Sequence, residues 1–154
     1  MSIAIFRPEA ADFPDMLSLW ERSVRATHLF LSEDDIVALR PEVEAAFAAA
    51  ESLGLVLRVT RDERGKATGF AGSMAGKLEM LFIEPACRGR GLGKALLTDA
   101  VTELAVSLVD VNADNPAALA FYRRMGFEEI GRSALDGAGR PFPLLHLALS
   151  DGMA

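Results

Sequence analysis

Seven consecutive residues, Arg88-Gly89-Arg90-Gly91-Leu92-Gly93-Lys94, hold three cations and three glycines between an apolar run, "LEMLFI", and an amphipathic one. A helix beginning here offers unpaired N–H groups and a partial positive charge of about half an electron. The glycines let backbone approach a ligand closely and adopt unusual dihedrals. A phosphate or pyrophosphate is the natural occupant of such a site. The chain carries a formal net charge of −6, yet screening over about 8 Å lets the local cations prevail. Two phosphate motifs fit poorly. A P-loop has Gly93-Lys94 in place, but Arg88 stands where its first glycine belongs and Ala95 where a magnesium-binding hydroxyl is needed. A dinucleotide fingerprint can start at Gly89 and Gly91, with Asp110 near the place of a ribose-binding acid. Lys94 then replaces its third glycine, and "EPACR" separates loop from strand. A glycine-rich turn that only starts a helix is the plainer alternative.

Other side chains could move protons. Tyr122 is a phenol with a reference pKa of about 10, protonated at pH 7 and able to donate; it could equally be a core aromatic. It adjoins Phe121, and of the two Phe121 is assigned to the interior. Glu79 alternates with Leu81 and Ile83 along one strand, so its carboxylate can face a cleft as a base or simply be solvated. His28 and His146 stand far apart and read as structural; such a pair supports neither a metal site nor a Ser/His/Asp triad. Cys87 has cationic neighbours that can lower its pKa, but it falls in the loop and reads as incidental. As the lone cysteine it excludes an internal disulfide and a multi-cysteine zinc site.

These groups need a scaffold. The chain has 154 residues, 51% hydrophobic and 25% charged, with a mean hydropathy of +0.22. That describes one folded domain, residues 1–154, with a real core. No apolar stretch approaches the ~20 residues of a membrane span. The N-terminus lacks a secretory pattern, so a cytoplasmic location is expected. A pI near 4.9 argues against nucleic acid as a partner and leans toward a cationic one. "SIAIFR" reads as a first strand. Two helices follow: one carries Met16, Leu17, Leu19, Trp20 and Val24 after Asp12 and Pro14; the other follows Ser32 as cap, with Pro41 as a kink or break. "LGLVLRVT", "KATGFAGSMAG" and "KLEMLFI" read as antiparallel strands. A helix over residues 91–104 puts Leu96, Ala100 and Leu104 on one face. "VSLVDVNA" is a strand, and "NPAALAFYRRMG" a short helix capped by Asn115 and stopped by Gly126. "FEEIGRS" and "FPLLHLAL" close the chain, the latter as an apolar edge strand that could pair with a second subunit in a homodimer. The order is βααβββαβαββ. It predicts an α+β fold with a mixed, mostly antiparallel six- to seven-stranded sheet, helices on both faces, and a right-handed parallel crossover over residues 78–111.

Arg88-Gly89-Arg90-Gly91-Leu92-Gly93 matches the pattern [QR]-x-x-G-x-[GA], and Asn115, Ala118, Phe121-Tyr122 and Gly126-Phe127 follow at the expected separation. Together they resemble the GCN5-related N-acetyltransferase (GNAT) family over the whole chain. "ATHLFL" and "PFPLLHLAL" are similar to bacterial peptidyl-lysine N-acetyltransferases. The resemblance implies the acyl-CoA N-acyltransferase fold, acetyl-CoA as co-substrate without a metal, and a primary amine as acceptor, a protein lysine or a small molecule. It implies Arg88, Gly89, Arg90, Gly91, Leu92, Gly93 and Lys94 on the pyrophosphate. It further implies the backbone of Leu81, Phe82 and Ile83 along the pantetheine arm, an Asn115 contact to the cofactor, and Tyr122 as the acid that protonates the departing thiolate. Asn115 can be a helix cap as well. The region of His28 commonly shapes the acceptor pocket in this family. A lysine-like amine, pKa about 10.4, costs roughly 4.6 kcal/mol to make neutral at pH 7, so a base is needed, and Glu79 is the expected one. A non-catalytic acyl-CoA-binding module is the alternative reading.

Overall fold

The computed structural model describes residues 3–150. Its helices are α1 (Phe13–Thr27), α2 (Glu33–Ala48), α3 (Ala50–Leu53), α4 (Leu92–Leu104) and α5 (Pro116–Arg124). Its strands are β1 (Val56–Arg61), β2 (Ala67–Met74), β3 (Lys77–Ile83), β4 (Leu108–Asn112), β5 (Phe127–Ser133) and β6 (Leu144–Leu149), lying side by side as β1-β2-β3-β4-β6-β5. All neighbours are antiparallel except β3 and β4, the pair joined through α4. The expected first strand is reduced, among the described residues, to one bridge in which Phe6 and Val59 exchange both backbone hydrogen bonds at 2.9 Å.

The helices form where capping and apolar spacing agree. Ser32 accepts from the Asp35 N–H at 3.1 Å while Asp35 returns a bond to the Ser32 N–H, a reciprocal cap for α2. That helix runs through Pro41 without ending; local breakage loses to the packing of Ile36 and Phe47. Met16, Leu17, Leu19, Trp20 and Val24 bury one face of α1 against the sheet. With Phe47 and Phe70, whose rings meet edge-on at 5.3 Å, they make one core layer. The other layer joins Leu96, Leu97 and Ala100 of α4 to Leu78, Val109, Val111, Leu145 and Leu147.

Two features of the sheet open a site. Parallel pairing of β3 with β4 covers only Lys77↔Leu108 and Leu78↔Val109, after which the strands part. At that point Gly72 pairs with Met80 and Ser73 with Leu78, leaving Glu79 as the extra residue of a β-bulge. The bulge breaks the alternation expected along β3. Leu78, Leu81 and Ile83 all pack toward α4, while Met80 and Phe82 pack toward α1 and α2. A second correction concerns β6: it lies between β4 and β5, so the edge at that end of the sheet is β5 and the strand expected to pair with another subunit is already paired on both sides.

Candidate active site

The turn after β3 delivers the cationic run. Gly89 and Gly91 have φ of +79° and +80°, the left-handed region that costs an L-residue about 1–2 kcal/mol. An added Cβ at Gly89 would meet nothing within 4 Å, so its requirement is conformational rather than steric. Gly91 is also the N-cap of α4 and supplies no side-chain cap. The first-turn N–H groups of Leu92, Gly93 and Lys94 are thereby left to a ligand. Gly93 itself is ordinary helix; its expected unusual dihedral is absent.

This turn borders a cavity of about 460 Å3 that runs from Arg88 and Lys94 past Leu81, Phe82 and Ile83 to Asn115 and Tyr122. Leu92 and the three glycines also line it. Arg90 does not; its side chain lines a separate depression with Arg61 and Cys87. Cys87 borders both spaces. A cationic turn with uncapped N–H groups at one end and the splayed edge of β3 beyond it fits an extended, diphosphate-bearing thioester.

Tyr122 and Asn115 sit where this cavity meets a smaller one of about 180 Å3, lying between the diverging β3 and β4. Asn115 caps α5 by accepting the Ala118 N–H at 3.2 Å through Oδ1, which leaves its amide N–H groups for a ligand. Tyr122 is only 8% exposed, its ring edge-on to Phe121 at 5.1 Å and to Phe127 at 5.9 Å. Burial pushes its phenol well above the ordinary tyrosine value, so the hydroxyl keeps its proton. The inward aromatic is thus Tyr122, and Phe121 is the half-buried one, lying against Gly93. Both are compatible with the cleft because Tyr122 is buried against its wall.

Glu79 and His28 also line the smaller cavity. Glu79 is exposed at the bulge. His28 borders both cavities and lies tilted against Phe30 at 5.4 Å and Phe82 at 6.0 Å. Phe30 meets Phe142 at 5.9 Å, and Arg140 reaches Glu42 at 2.8 Å, so the β5–β6 loop closes on the α1–α2 corner. Farther back along α1, Arg22 grips Glu84 through three contacts of 2.6–3.0 Å and holds the helix to the exit of β3.

One array escaped the sequence. Ser133 Oγ lies 2.6 Å from His146 Nε2, His146 Nδ1 lies 2.6 Å from Asp110 Oδ1, and Lys77 Nζ lies 2.5 Å from Asp110 Oδ2. Distance along the chain had spoken against a Ser/His/Asp grouping, but Asp110 and His146 are direct cross-strand partners. Lys77 and His146 hold the Asp110 carboxyl below its ordinary value despite burial. Its oxygens are engaged, so the ribose-binding role is closed to it. The array ties β3, β4, β6 and β5 together across one face of the sheet, and only Asp110 among Ser133, His146 and Asp110 touches the smaller cavity.

The fold and site together define an acyl-CoA-dependent acyltransferase. The family model for the acetyltransferase (GNAT) domain matches residues 44–129. The chain is 35% identical over 148 residues to the peptidyl-lysine N-acetyltransferase YjaB of Escherichia coli, covering 96% of this chain and 97% of that one. It is 36% identical to the Salmonella typhimurium protein of the same name, covering 96% and 98%. The solution structure of apo YjaB from Escherichia coli superposes with a TM-score of 0.83 over 96% of this chain and 97% of that one, at 35% identity. The PaiA N-acetyltransferase of Thermoplasma acidophilum, solved with coenzyme A, shares the fold at 19% identity, a TM-score of 0.74, and 97% and 100% coverage. This chain belongs to the GNAT family of acetyltransferases. It is an N-acetyltransferase that takes its acetyl group from acetyl-CoA. Among the described residues no cluster of metal-ligating side chains occurs, and no helix is long and apolar enough to cross a membrane.

Proposed function

We propose that the enzyme acetylates the ε-amine of lysine in a protein or peptide, with Tyr122 as proton donor and the Arg88–Lys94 turn holding the diphosphate of the donor. The lysine acceptor is supported by near-full-length similarity to two peptidyl-lysine N-acetyltransferases. The observation that carries the mechanism is the position of Tyr122, a protonated phenol bordering both the cationic cavity and the smaller one. Acetyl-CoA supplies an activated thioester; the chain supplies everything that orients it. Uncapped N–H groups of α4, with Arg88 and Lys94, bind the diphosphate. The unpaired inner edge of β3, at Leu81, Phe82 and Ile83, offers backbone groups to the pantetheine arm, and Asn115 adds an amide donor. Arg90, facing away, contributes only to the local field. Tyr122 gives its proton to the departing sulfur. Glu79, which the sequence offers as a base, is exposed at the cleft mouth and draws in the cationic acceptor. A cytoplasmic location belongs to the same reading, since a single cysteine, Cys87, offers no internal disulfide.

The test is an acetyl-transfer reaction with acetyl-CoA and a panel of lysine peptides, polyamines and amino acids, read by mass spectrometry. Acetylated lysine side chains are the expected product. Binding of acetyl-CoA without transfer to any amine would favour the non-catalytic module; transfer confined to small amines would reassign the acceptor.

A further inference from the structure

The corner between α1 and α2 fixes the protonation of a histidine. Thr27 Oγ1 lies 2.7 Å from the Ser23 carbonyl oxygen, one turn back in α1, and 2.7 Å from His28 Nδ1. A hydroxyl has one hydrogen, and a carbonyl can only accept it. The Thr27 hydrogen therefore points to Ser23, and the contact with His28 must be donated by Nδ1–H. In the neutral ring that leaves Nε2 with a bare lone pair. Nε2 takes no hydrogen bond among the described residues. Nδ1 is turned to the helix, so the Nε2 edge is the part of the ring left to face the two cavities it lines, the same cavities bordered by Tyr122.

We propose that His28 is the general base of the transfer, its Nε2 taking a proton from the acceptor ammonium, and that Thr27 is the positioning residue that sets its tautomer. This rests on the amine-acetyltransferase reading above. In the step one N–H bond of the ammonium breaks, its electron pair stays on nitrogen as the nucleophile, and a bond forms from Nε2 to the proton. The imidazolium then releases that proton to water. Burial and the positive charge of Arg88 hold the His28 pKa below its ordinary value, so the ring is neutral and competent at pH 7. The charged and titratable groups around it are Cys87 and Arg88 from the turn, Lys94 from α4, Tyr122 and Arg124 from α5, Glu79 from β3 and Asp110 from β4. The cations among them disfavour the imidazolium. Of the two carboxylates, Asp110 is bound by Lys77 and His146, and Glu79 is solvated.

Two measurements decide the matter. In the uniformly 15N-labelled full chain, long-range proton–nitrogen correlation at pH 7 should show His28 with Nδ1 protonated and Nε2 bare; an Nε2–H tautomer would overturn the proposal. Steady-state rates with acetyl-CoA and a lysine-containing peptide, from pH 5 to 9, should show a wild-type acidic limb below about pH 6.5. His28→Gln should lower kcat by about 100-fold or more, erase that limb, and leave the KM for acetyl-CoA within about twofold. Thr27→Val, close in shape, should lower kcat by less and mix the tautomers in the same spectrum. Glu79→Gln should raise the peptide KM while keeping the limb. A limb that vanishes in Glu79→Gln and survives in His28→Gln gives the role to Glu79 and defeats the proposal. Transfer by wild type with equal turnover by His28→Gln defeats the base role alone. A wild type that transfers to no amine defeats the acetyltransferase reading, and the base role with it.

Discussion

The Arg88–Lys94 turn and the Thr27–Ser32 corner open on the same cavity and are built in opposite ways. The turn works through its backbone: two left-handed glycines, an uncapped helix start, and cations that need only be near. The corner works through side chains, with His28 held by Thr27 and flanked by Phe30 and Phe82. In the function proposed above, the backbone site binds the moiety common to every donor of the class, and the side-chain site chooses the acceptor and moves its protons. The donor side is therefore strict at its two left-handed glycines and lenient in its cations, and the acceptor side is the part that can be retuned.

That contrast can be broken by mutation. The largest effect is expected at the junction of the two regions, where Tyr122→Phe should reduce kcat by about 100- to 10,000-fold. Coenzyme A affinity, measured by titration calorimetry, should stay within about threefold; full turnover by this variant would remove the acid assignment. On the donor side, Gly91→Val forces a β-branched residue into left-handed backbone at a cost of at least about 1–2 kcal/mol. The expected result is coenzyme A binding weakened by about tenfold or more, with the far-ultraviolet spectrum unchanged. A sharper version compares two arginines in one turn. Arg88→Ala should weaken coenzyme A several-fold, and more at low salt, whereas Arg90→Ala should change it by less than about twofold; equal losses would mean that only net charge matters there.

The smallest effect on coenzyme A binding is expected at Asp110, outside the lining of the donor cavity. Asp110→Ala strips Lys77 and His146 of their acceptor, a loss of about 1–3 kcal/mol that should lower Tm by roughly 2–10 °C without altering coenzyme A affinity. The sign with pH follows from its lowered pKa. The unfolded chain takes up this proton first as pH falls, so the stabilisation is whole above the ordinary aspartate pKa and disappears below it. Acid titration of Tm should thus be shallower in Asp110→Ala than in wild type.

How much of this was legible in the chain depends on range. The reciprocal cap at Ser32, Pro116 at the first position of α5, and the apolar face of α1 are local patterns, and each element formed where its residues direct. The bulge at Glu79 was invisible because it depends on how β2 and β3 register against each other. Glu79 looked aligned with Leu81 and Ile83 only under strict alternation. The inward turn of Tyr122 depended on Phe127 and its neighbours filling one side of α5. A signal for His28 did exist in the adjacent threonine, since Thr within a helix often bonds back one turn, but only the bend at the end of α1 brings Nδ1 to that oxygen.

By itself the sequence determined the class of the enzyme and the glycine turn that starts α4 without a side-chain cap, because motif order and glycine conformation are properties of short segments read in order. Only the tertiary structure decided which groups meet at the cleft. His28 at the end of α1, Glu79 in β3, and Asn115 and Tyr122 at the cap and inside α5 come from three elements, and no local rule brings them together; the parting of β3 from β4 does.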